Sequence, residues 1–276
     1  MLPFLLAAAL ISHPAPQQSP PQYEIYAVRY ATVAGFPLRG LIAGAPRGER
    51  TDLAMMFWVI REPGPHGRVI LFDAGFYRDK FMKQWKPRDY VTPAQAVERL
   101  GITPADVSDI ILSHIHWDHA DGVDLFPNAR IRLQQDEYDY YVGPGGAPLH
   151  PAIDSLDAAM LFGLNAAGRV VKIPGDSAEV LPGIRAYLGG KHTYASEYLT
   201  VPTRSGTVVL ASDNVYLYRN LDEHRPIAQT LDSLSNLAAQ QRMLKLASKP
   251  ALIVPGHDPS VFDRFPKIAE GVVRID

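Results

Sequence analysis

Residues 113–122 read Ser-His-Ile-His-Trp-Asp-His-Ala-Asp-Gly and hold three of the nine histidines of the chain. The four residues before this run, Asp-Ile-Ile-Leu, predict a short buried strand, so the histidines follow a strand end. His114 and His116 can project to one side there, whereas Asp118 and His119 come after a turn and can reach a second point. Imidazole nitrogens and carboxylate oxygens suit zinc-like ions. The run therefore favours two partial metal-ligand sets over a chance polar loop.

This run resembles the signature of the metallo-β-lactamase superfamily, which continues with a later His, an acidic residue or Cys, and a final His, each at a strand end. His192, Asp213 and His257 stand in that order, and each follows a strand-like run. The resemblance implies one metal bound by His114, His116 and His192, a second bound by Asp118, His119 and His257, and Asp213 as the bridge. It implies two Zn²⁺ ions, with other divalent transition metals as alternatives.

Asp73-Ala74-Gly75, which ends another strand-like run, resembles a second motif of the superfamily. In the superfamily this motif reads Asp-Thr/Ser-Gly and forms a turn at the end of a strand. Its aspartate orients the metal ligands without binding the metals directly. The resemblance implies the same position for Asp73.

Runs of predicted strands followed by helices occur twice along the chain, which suits two mixed sheets inside and helices outside. We predict strands over 23–32, 55–61 and 68–72. The Gly- and Pro-rich stretch over 34–52 is either a simple connection or part of a substrate mouth. The resemblance implies an α/β (α+β) fold, the four-layer αβ/βα sandwich of the superfamily, formed by a single hydrolase domain over 23–276.

Two apolar patterns outside the motif predict packing. The stretch over 76–90 carries five aromatic residues among charged ones, which favours a surface helix packed on the core over an apolar wall for a substrate. A long helix is predicted before Pro250, with a buried face formed by Ile227, Leu231, Leu234, Ala238 and Leu244.

Composition excludes several classes of protein. The chain has 276 residues, 47% hydrophobic and 20% charged, as expected for a globular protein with a sizeable core. A net charge of −2 gives no electrostatic reason to expect nucleic acid or an anionic membrane surface as partner. The absence of Cys excludes disulfides and thiolate metal ligands.

The N-terminal residues have the composition of a targeting segment. Residues 1–12, MLPFLLAAALIS, form an apolar run too short to span a bilayer stably but suited to the core of a signal peptide. A cationic start is missing, and the cleavage signal is poor. Residues 15–22, APQQSPPQ, predict an extended linker. We expect residues 1–22 to be a signal peptide and linker on a periplasmic or secreted protein; the alternative is a disordered or mis-assigned start on a cytoplasmic one.

Spacing narrows the resemblance to one family. Asp213 lies 21 residues after His192, and His257 lies 44 residues after Asp213. These gaps, and the residues around the last two ligands, resemble the N-acyl-homoserine lactonase family of quorum-quenching enzymes from about residue 23 to the C-terminus. The pair Asp213 and Tyr216 is its most specific part. Two segments depart from the family pattern and lie where substrate is expected to pass. Gly190-Lys191 stands in place of Pro-Gly before His192, and Trp117 stands in place of Phe.

The resemblance implies hydrolysis of a lactone ring by a hydroxide that bridges two metals. This hydroxide is available at neutral pH because the metals lower the pKa of bound water to about 7. Asp118 would pass a proton to the departing ring oxygen, and the Tyr216 hydroxyl would polarise the carbonyl unless Tyr216 only packs in the core. The expected partner is an apolar-tailed lactone or ester, and a homodimer is left open.

Two other functions compete with the lactonase. An aryl-ester or organophosphate hydrolase of the same fold would use the same hydroxide and an apolar pocket. A non-enzymatic metal-binding scaffold belongs to a different class. It is disfavoured because structural zinc sites are usually closed sets of four ligands, often with Cys.

Overall fold

The computed structural model describes residues 21–64 and 67–276. The expected signal peptide and most of the expected linker fall in residues 1–20 and lie outside the described residues. In the two described ranges, no helix has both the length and the apolar character needed to cross a membrane.

The described strands are β1 (Glu24–Pro37), β2 (Arg50–Arg61), β3 (Val69–Phe72), β4 (Val107–Ile111), β5 (Arg130–Gln134), β6 (Val170–Ile173), β7 (Ala178–Leu181), β8 (Ile184–Leu188), β9 (Glu197–Thr203), β10 (Gly206–Ser212), β11 (Ile253–Pro255), β12 (Lys267–Ala269) and β13 (Val272–Arg274). The described α-helices are α1 (Asp79–Trp85), α2 (Pro93–Glu98), α3 (Trp117–Ala120), α4 (Gln135–Tyr141), α5 (Ser155–Ala166), α6 (Tyr218–Asp222), α7 (Ser233–Leu246) and α8 (Val261–Arg264).

Two sheets pack face to face. The larger has the strand order β12-β13-β1-β2-β3-β4-β5-β6, and the smaller has the order β11-β10-β9-β8-β7. Alternate residues of β1 face opposite sides, so Ile25 and Ala27 enter the core between the sheets while Tyr26 and Val28 enter the core under the outer helices. On the far side of the smaller sheet, Met243 of α7 packs with the apolar side chains of β10. The predicted four-layer sandwich is therefore confirmed.

Parallel strand pairs bring several strand ends to one edge. β3 pairs with β4 and β4 with β5 in parallel, and β10 pairs with β11 in parallel in the other sheet. Loops that follow the carboxyl ends of parallel strands meet on one side of a sheet. The segments predicted to bind metal all follow strands at this edge.

The first hairpin is longer than the sequence predicted. β1 continues to Pro37 and β2 begins at Arg50, so the predicted loop over 34–52 contributes residues to both strands. Register shifts between Arg29 and Ala31 and between Val33 and Phe36 bend the hairpin, as β-bulges do.

The prediction of a leucine-lined buried face on the late helix is wrong. The helix begins at Ser233, and Leu231 and Leu234 are 67% and 78% exposed. Its buried face instead includes the polar residues Asn236 and Gln240.

The buried amides of α7 bond to loop backbone. The Asn236 Nδ2 donates to the Asn214 carbonyl at 2.9 Å, and Asn236 Oδ1 accepts from the Ile227 N–H at 3.0 Å. Gln240 Nε2 donates to the Arg225 carbonyl at 3.0 Å. Part of this helix thus covers loops whose buried backbone groups need hydrogen-bond partners, which leucines cannot supply.

Candidate metal centre

The seven predicted metal ligands meet at the open edge of the sheets, and they form two clusters. The first ligand group is His114, His116 and His192, and the second ligand group is Asp118, His119 and His257. Asp213 lies between them and clusters with the first. Within each cluster the ligand atoms lie within 4.8 Å of one another.

Three ring nitrogens converge in the first ligand group. His116 Nδ1 lies 3.0 Å from His114 Nε2 and 2.9 Å from His192 Nε2. The loop that carries His192 passes close to α7, because a Cβ added at Gly190 would stand 2.2 Å from the Asn236 Cα. Glycine at that position allows the close approach of backbone that brings His192 to the other two histidines.

The second ligand group is set apart from the first by the short helix α3, which turns the chain after His116. Asp118 Oδ2 lies 3.6 Å from His119 Nε2 and 3.7 Å from His257 Nε2. His257 reaches this position from the end of β11 in the other sheet. The second group therefore joins residues from both sheets.

Asp213 presents one carboxylate oxygen to each group. Its Oδ2 lies 3.2 Å from His192 Nε2 and 3.8 Å from His114 Nε2. Its Oδ1 lies 3.3 Å from His119 Nε2 and 3.0 Å from His257 Nε2. This is the arrangement that a carboxylate needs to bridge two ions.

Hydrogen bonds at the outer nitrogens fix the orientation of four of the rings. His192 Nδ1 lies 2.8 Å from the Gln229 carbonyl, and His257 Nδ1 lies 3.0 Å from the Ala54 carbonyl. Because a carbonyl oxygen can only accept, these Nδ1 atoms carry a proton, and in the neutral ring each Nε2 presents a lone pair. Outer nitrogens bonded in this way are typical of histidines that bind metals.

One buried carboxylate supports a histidine in each group. Asp73 Oδ2 accepts from His119 Nδ1 at 2.8 Å and from the Ser113 hydroxyl at 3.0 Å. The Ser113 oxygen in turn lies 2.8 Å from His114 Nδ1 and accepts from the Ser212 hydroxyl at 2.9 Å. Asp73 thus lies behind the ligands rather than among them.

The charges of the two groups differ. Burial lowers the pKa of His114 well below its usual range and that of His116 to about 3. Burial also opposes protonation of His119, but the Asp213 and Asp118 carboxylates hold its pKa well above the usual range. The pKa of His257 is raised by Asp213 against the same effect of burial.

The donor set fits divalent metal ions. Asp213 Oδ1 and His119 Nε2 are buried and have no hydrogen-bond partner among the described residues, although both face the other ligands. Unpaired buried polar atoms are costly, and a cation between them would pair both. Imidazole and carboxylate ligands without Cys suit zinc and related ions.

Tyr216 lies beside the first ligand group. Its hydroxyl oxygen is 3.3 Å from His192 Nδ1, whose proton already points at the Gln229 carbonyl. Burial raises the pKa of Tyr216 well above its usual value, so the phenol stays protonated. In the described part of the chain its O–H proton has no other acceptor and can point into the cavity next to it.

A cavity of about 320 Å³ opens onto the ligands and has an apolar wall. Sequence analysis did not single out Val33, Leu53, Met55 and Ala152 of this wall. The first three lie in strands, where an apolar side chain indicates only a core. The apolar residues of the lining are Val33, Phe36, Leu41, Leu53, Met55, Trp85, Trp117 and Ala152. Phe36 and Leu41 come from the stretch over 34–52, which supports its interpretation as part of a substrate mouth.

The aromatic stretch over 76–90 contributes both to the core and to the lining of the cavity. Phe76 and Phe81 are buried in the core. Trp85 lines the cavity, and its ring stacks on that of Trp117 with centroids 5.4 Å apart. Of the two departures from the family pattern, Trp117 lies in the cavity wall. Lys191 does not line the cavity, and its Nζ donates to the Tyr194 carbonyl at 2.7 Å.

Comparison with known proteins finds one family. The profile of the metallo-beta-lactamase superfamily matches residues 56–257. An N-acyl homoserine lactonase from Bacillus sp is 30% identical over 190 residues, which cover 68% of this chain and 70% of the relative. The lactonase AiiA from Bacillus thuringiensis subsp. kurstaki is 29% identical with the same coverage. A solved structure of an N-acyl homoserine lactone hydrolase, with the product N-hexanoyl-L-homoserine at its catalytic metal centre, superposes with a TM-score of 0.71 at 21% identity. That match covers 89% of this chain and 96% of the solved one.

Proposed function

The chain belongs to the metallo-β-lactamase superfamily of metal-dependent hydrolases, and on that premise we propose that it opens lactone rings that carry an apolar acyl chain. One observation carries the proposal. Asp213 offers an oxygen to each of two ligand groups beside a cavity whose wall is apolar. The relatives named N-acyl homoserine lactonase support the choice of lactone as the substrate.

Two zinc ions are the cofactor we propose, one held by each ligand group with Asp213 between them. When bound, such ions supply a hydroxide nucleophile at neutral pH and polarise a carbonyl. Asp213 keeps the two positions at a working separation. Asp73 and the backbone carbonyls of Gln229 and Ala54 keep the histidine lone pairs directed inward.

We assign to Asp118 the transfer of the proton that ring opening requires. Burial would raise its pKa, but His119 and His257 lower it, so Asp118 is a carboxylate at neutral pH. Its side chain lines the cavity. In the proposed reaction the Asp118 oxygen that does not hold the metal takes a proton from the attacking water. It returns that proton to the ring oxygen as the bond between the carbonyl carbon and the ring oxygen breaks. The products are a carboxylic acid and an alcohol on one molecule.

We assign to Tyr216 the stabilisation of the carbonyl oxygen. Its hydroxyl remains protonated and lines the cavity next to His192. A donor directed at an oxygen that gains negative charge lowers the barrier to attack. The apolar wall would take the acyl chain at the same time.

A substrate panel tests the proposal. Zinc-loaded protein is offered N-octanoyl-homoserine lactone, an aryl ester, an organophosphate triester and a β-lactam, and acid release is followed with Asp213→Ala as the control for contaminating hydrolases. We expect the lactone to be opened with the highest kcat/KM. The stacked tryptophans favour the aryl ester as the second candidate, and a higher kcat/KM for that ester would contradict the lactonase assignment. Turnover of none of the four would favour a metal-binding scaffold.

A further inference from the structure

Gln229 is an unusual member of the cavity lining. Among the described residues of that lining, the ligands aside, only Gln229 and Tyr216 carry side-chain oxygens. The remaining lining is aliphatic or aromatic. In a mostly apolar pocket, the few polar groups determine the orientation of the ligand and the specificity for it.

The backbone of Gln229 is fixed against the first ligand group. Its carbonyl accepts the hydrogen bond from His192 Nδ1 at 2.8 Å. On one side of it, the Ala228 N–H donates to the Leu41 carbonyl at 3.0 Å, and on the other the Leu231 N–H donates to the Lys191 carbonyl at 2.8 Å. The side chain therefore starts from a rigid position, as a residue that confers specificity requires.

The side-chain amide of Gln229 has a defined orientation. Its Nε2 donates to the Gly40 carbonyl at 3.2 Å, and a carbonyl can only accept. Within residues 21–64 and 67–276, no group donates to Gln229 Oε1. His192 Nδ1 thus contacts two lining residues, Tyr216 through its hydroxyl and Gln229 through its backbone carbonyl. Tyr216 offers the cavity a donor, and Gln229 Oε1 is an acceptor that no described group occupies.

We propose that Gln229 Oε1 accepts a hydrogen bond from an amide N–H on the substrate's lactone ring and so selects N-acylated amino lactones over plain alkyl lactones. The inference rests on the proposed lactonase function. In such a lactone the amide nitrogen is bonded to the ring carbon next to the reacting carbonyl. The carbonyl oxygen, an acceptor, and the amide N–H, a donor, are therefore neighbours on the ring. Tyr216 and Gln229 offer the complementary pair. Since Gln229 is exposed, we expect roughly 5- to 10-fold discrimination, the contribution of one neutral hydrogen bond.

Two substitutions separate this role from a structural one. Gln229→Met keeps the length of the side chain and removes both polar groups. Gln229→Glu keeps an acceptor but cannot donate to the Gly40 carbonyl. Each zinc-loaded variant is assayed with N-octanoyl-homoserine lactone and with a γ-alkyl lactone of equal chain length. The ratio of the two kcat/KM values is the readout, and zinc content is measured in parallel.

We expect Gln229→Met to lower the ratio roughly 5- to 10-fold through a lower kcat/KM for the N-acyl lactone, and Gln229→Glu to retain the wild-type preference. An unchanged ratio in Gln229→Met would overturn the inference. An equal fall for both substrates would also overturn it, because it would show that Gln229 acts only by holding the loop at Gly40. Loss of preference in Gln229→Glu would do the same. Wild-type protein that opens neither lactone would refute the proposed function itself, and the inference with it.

Discussion

The two ligand groups share Asp213 but differ in charge. The first has three imidazoles and no carboxylate of its own, and burial keeps His114 and His116 neutral by lowering the pKa of each. The second has two imidazoles with Asp118 beside them and Asp73 behind His119. Burial opposes protonation of His119, but Asp213, Asp118 and Asp73 together raise its pKa. The first group is therefore ready to bind a metal, whereas in the second a metal must displace protons.

Because of this difference, we expect metal binding at the two positions to respond differently to pH. Metal ligands must be deprotonated, so proton competition weakens metal binding wherever a histidine has a raised pKa. The carboxylates that raise that pKa also attract the metal ion. We therefore expect the second position to depend more on pH than the first, and both to depend on the shared carboxylate.

The largest effect is expected from Asp213→Ala, which removes the ligand that the two groups have in common. Activity should fall by several orders of magnitude and bound zinc should fall, because among the described residues no other carboxylate faces the Nε2 atoms of both groups. Asp213→Asn is the matched variant, since its single amide oxygen can serve one ion but cannot bridge two. Zinc per chain and lactone turnover are measured on both. Near-normal turnover in Asp213→Ala would mean that the shared ligand has been misidentified.

Acidification should separate the two groups. A raised pKa keeps His119 and His257 protonated to higher pH, so zinc should leave the second group first as the pH falls, while His114 and His116 remain neutral. Equilibrium dialysis between about pH 8 and pH 5, the range in which histidines titrate, should show zinc per chain falling from two to one before the rest is lost. Loss of both ions in a single step would contradict the distinction.

Tyr216→Phe tests a residue that touches the first group without binding metal. Removing one donor from a developing oxyanion typically costs about 10²–10³ in turnover, and a metal ion shares the charge here, so we expect roughly 10- to 100-fold. Zinc content should stay at the wild-type value. Unchanged lactone turnover would exclude the catalytic role, and lost zinc would show that the hydroxyl supports His192 instead.

The ligands could be predicted from the sequence because each follows a predicted strand and four of them lie within six residues. The apolar wall could be predicted only in part. Val33 and Leu53 lie where β1 and β2 extend beyond the predicted strands, and an apolar residue in a strand indicates only a core. The first hairpin and Trp117 are far apart in the sequence, so the sequence does not indicate that their side chains line the same cavity.

The helix α7 shows a second limit of pattern reading. Apolar periodicity assumes that the covering surface is apolar, yet much of this helix covers the backbone of loops near Asn214 and Arg225. Amide side chains face inward for that reason, and Leu234 is exposed. The sequence alone holds no signal for the polarity of a partner surface.

The smallest effect is expected from deleting residues 1–22. We propose that they form an export signal and linker, so the remaining chain should fold and keep the zinc content and lactone turnover of the full chain. Thermal unfolding and turnover of both forms are compared. Loss of soluble protein on deletion would assign the segment to the fold or to a dimer contact. A change of zinc content in only one ligand group would tie it to the site.

The most direct test of the two-group account is a zinc titration of metal-free protein that follows bound zinc and lactone turnover on the same sample. The account predicts two ions per chain, with the first ion giving little activity and most of the turnover arriving with the second. Full activity at one zinc per chain would contradict it, because the second ligand group would then have no part in the reaction.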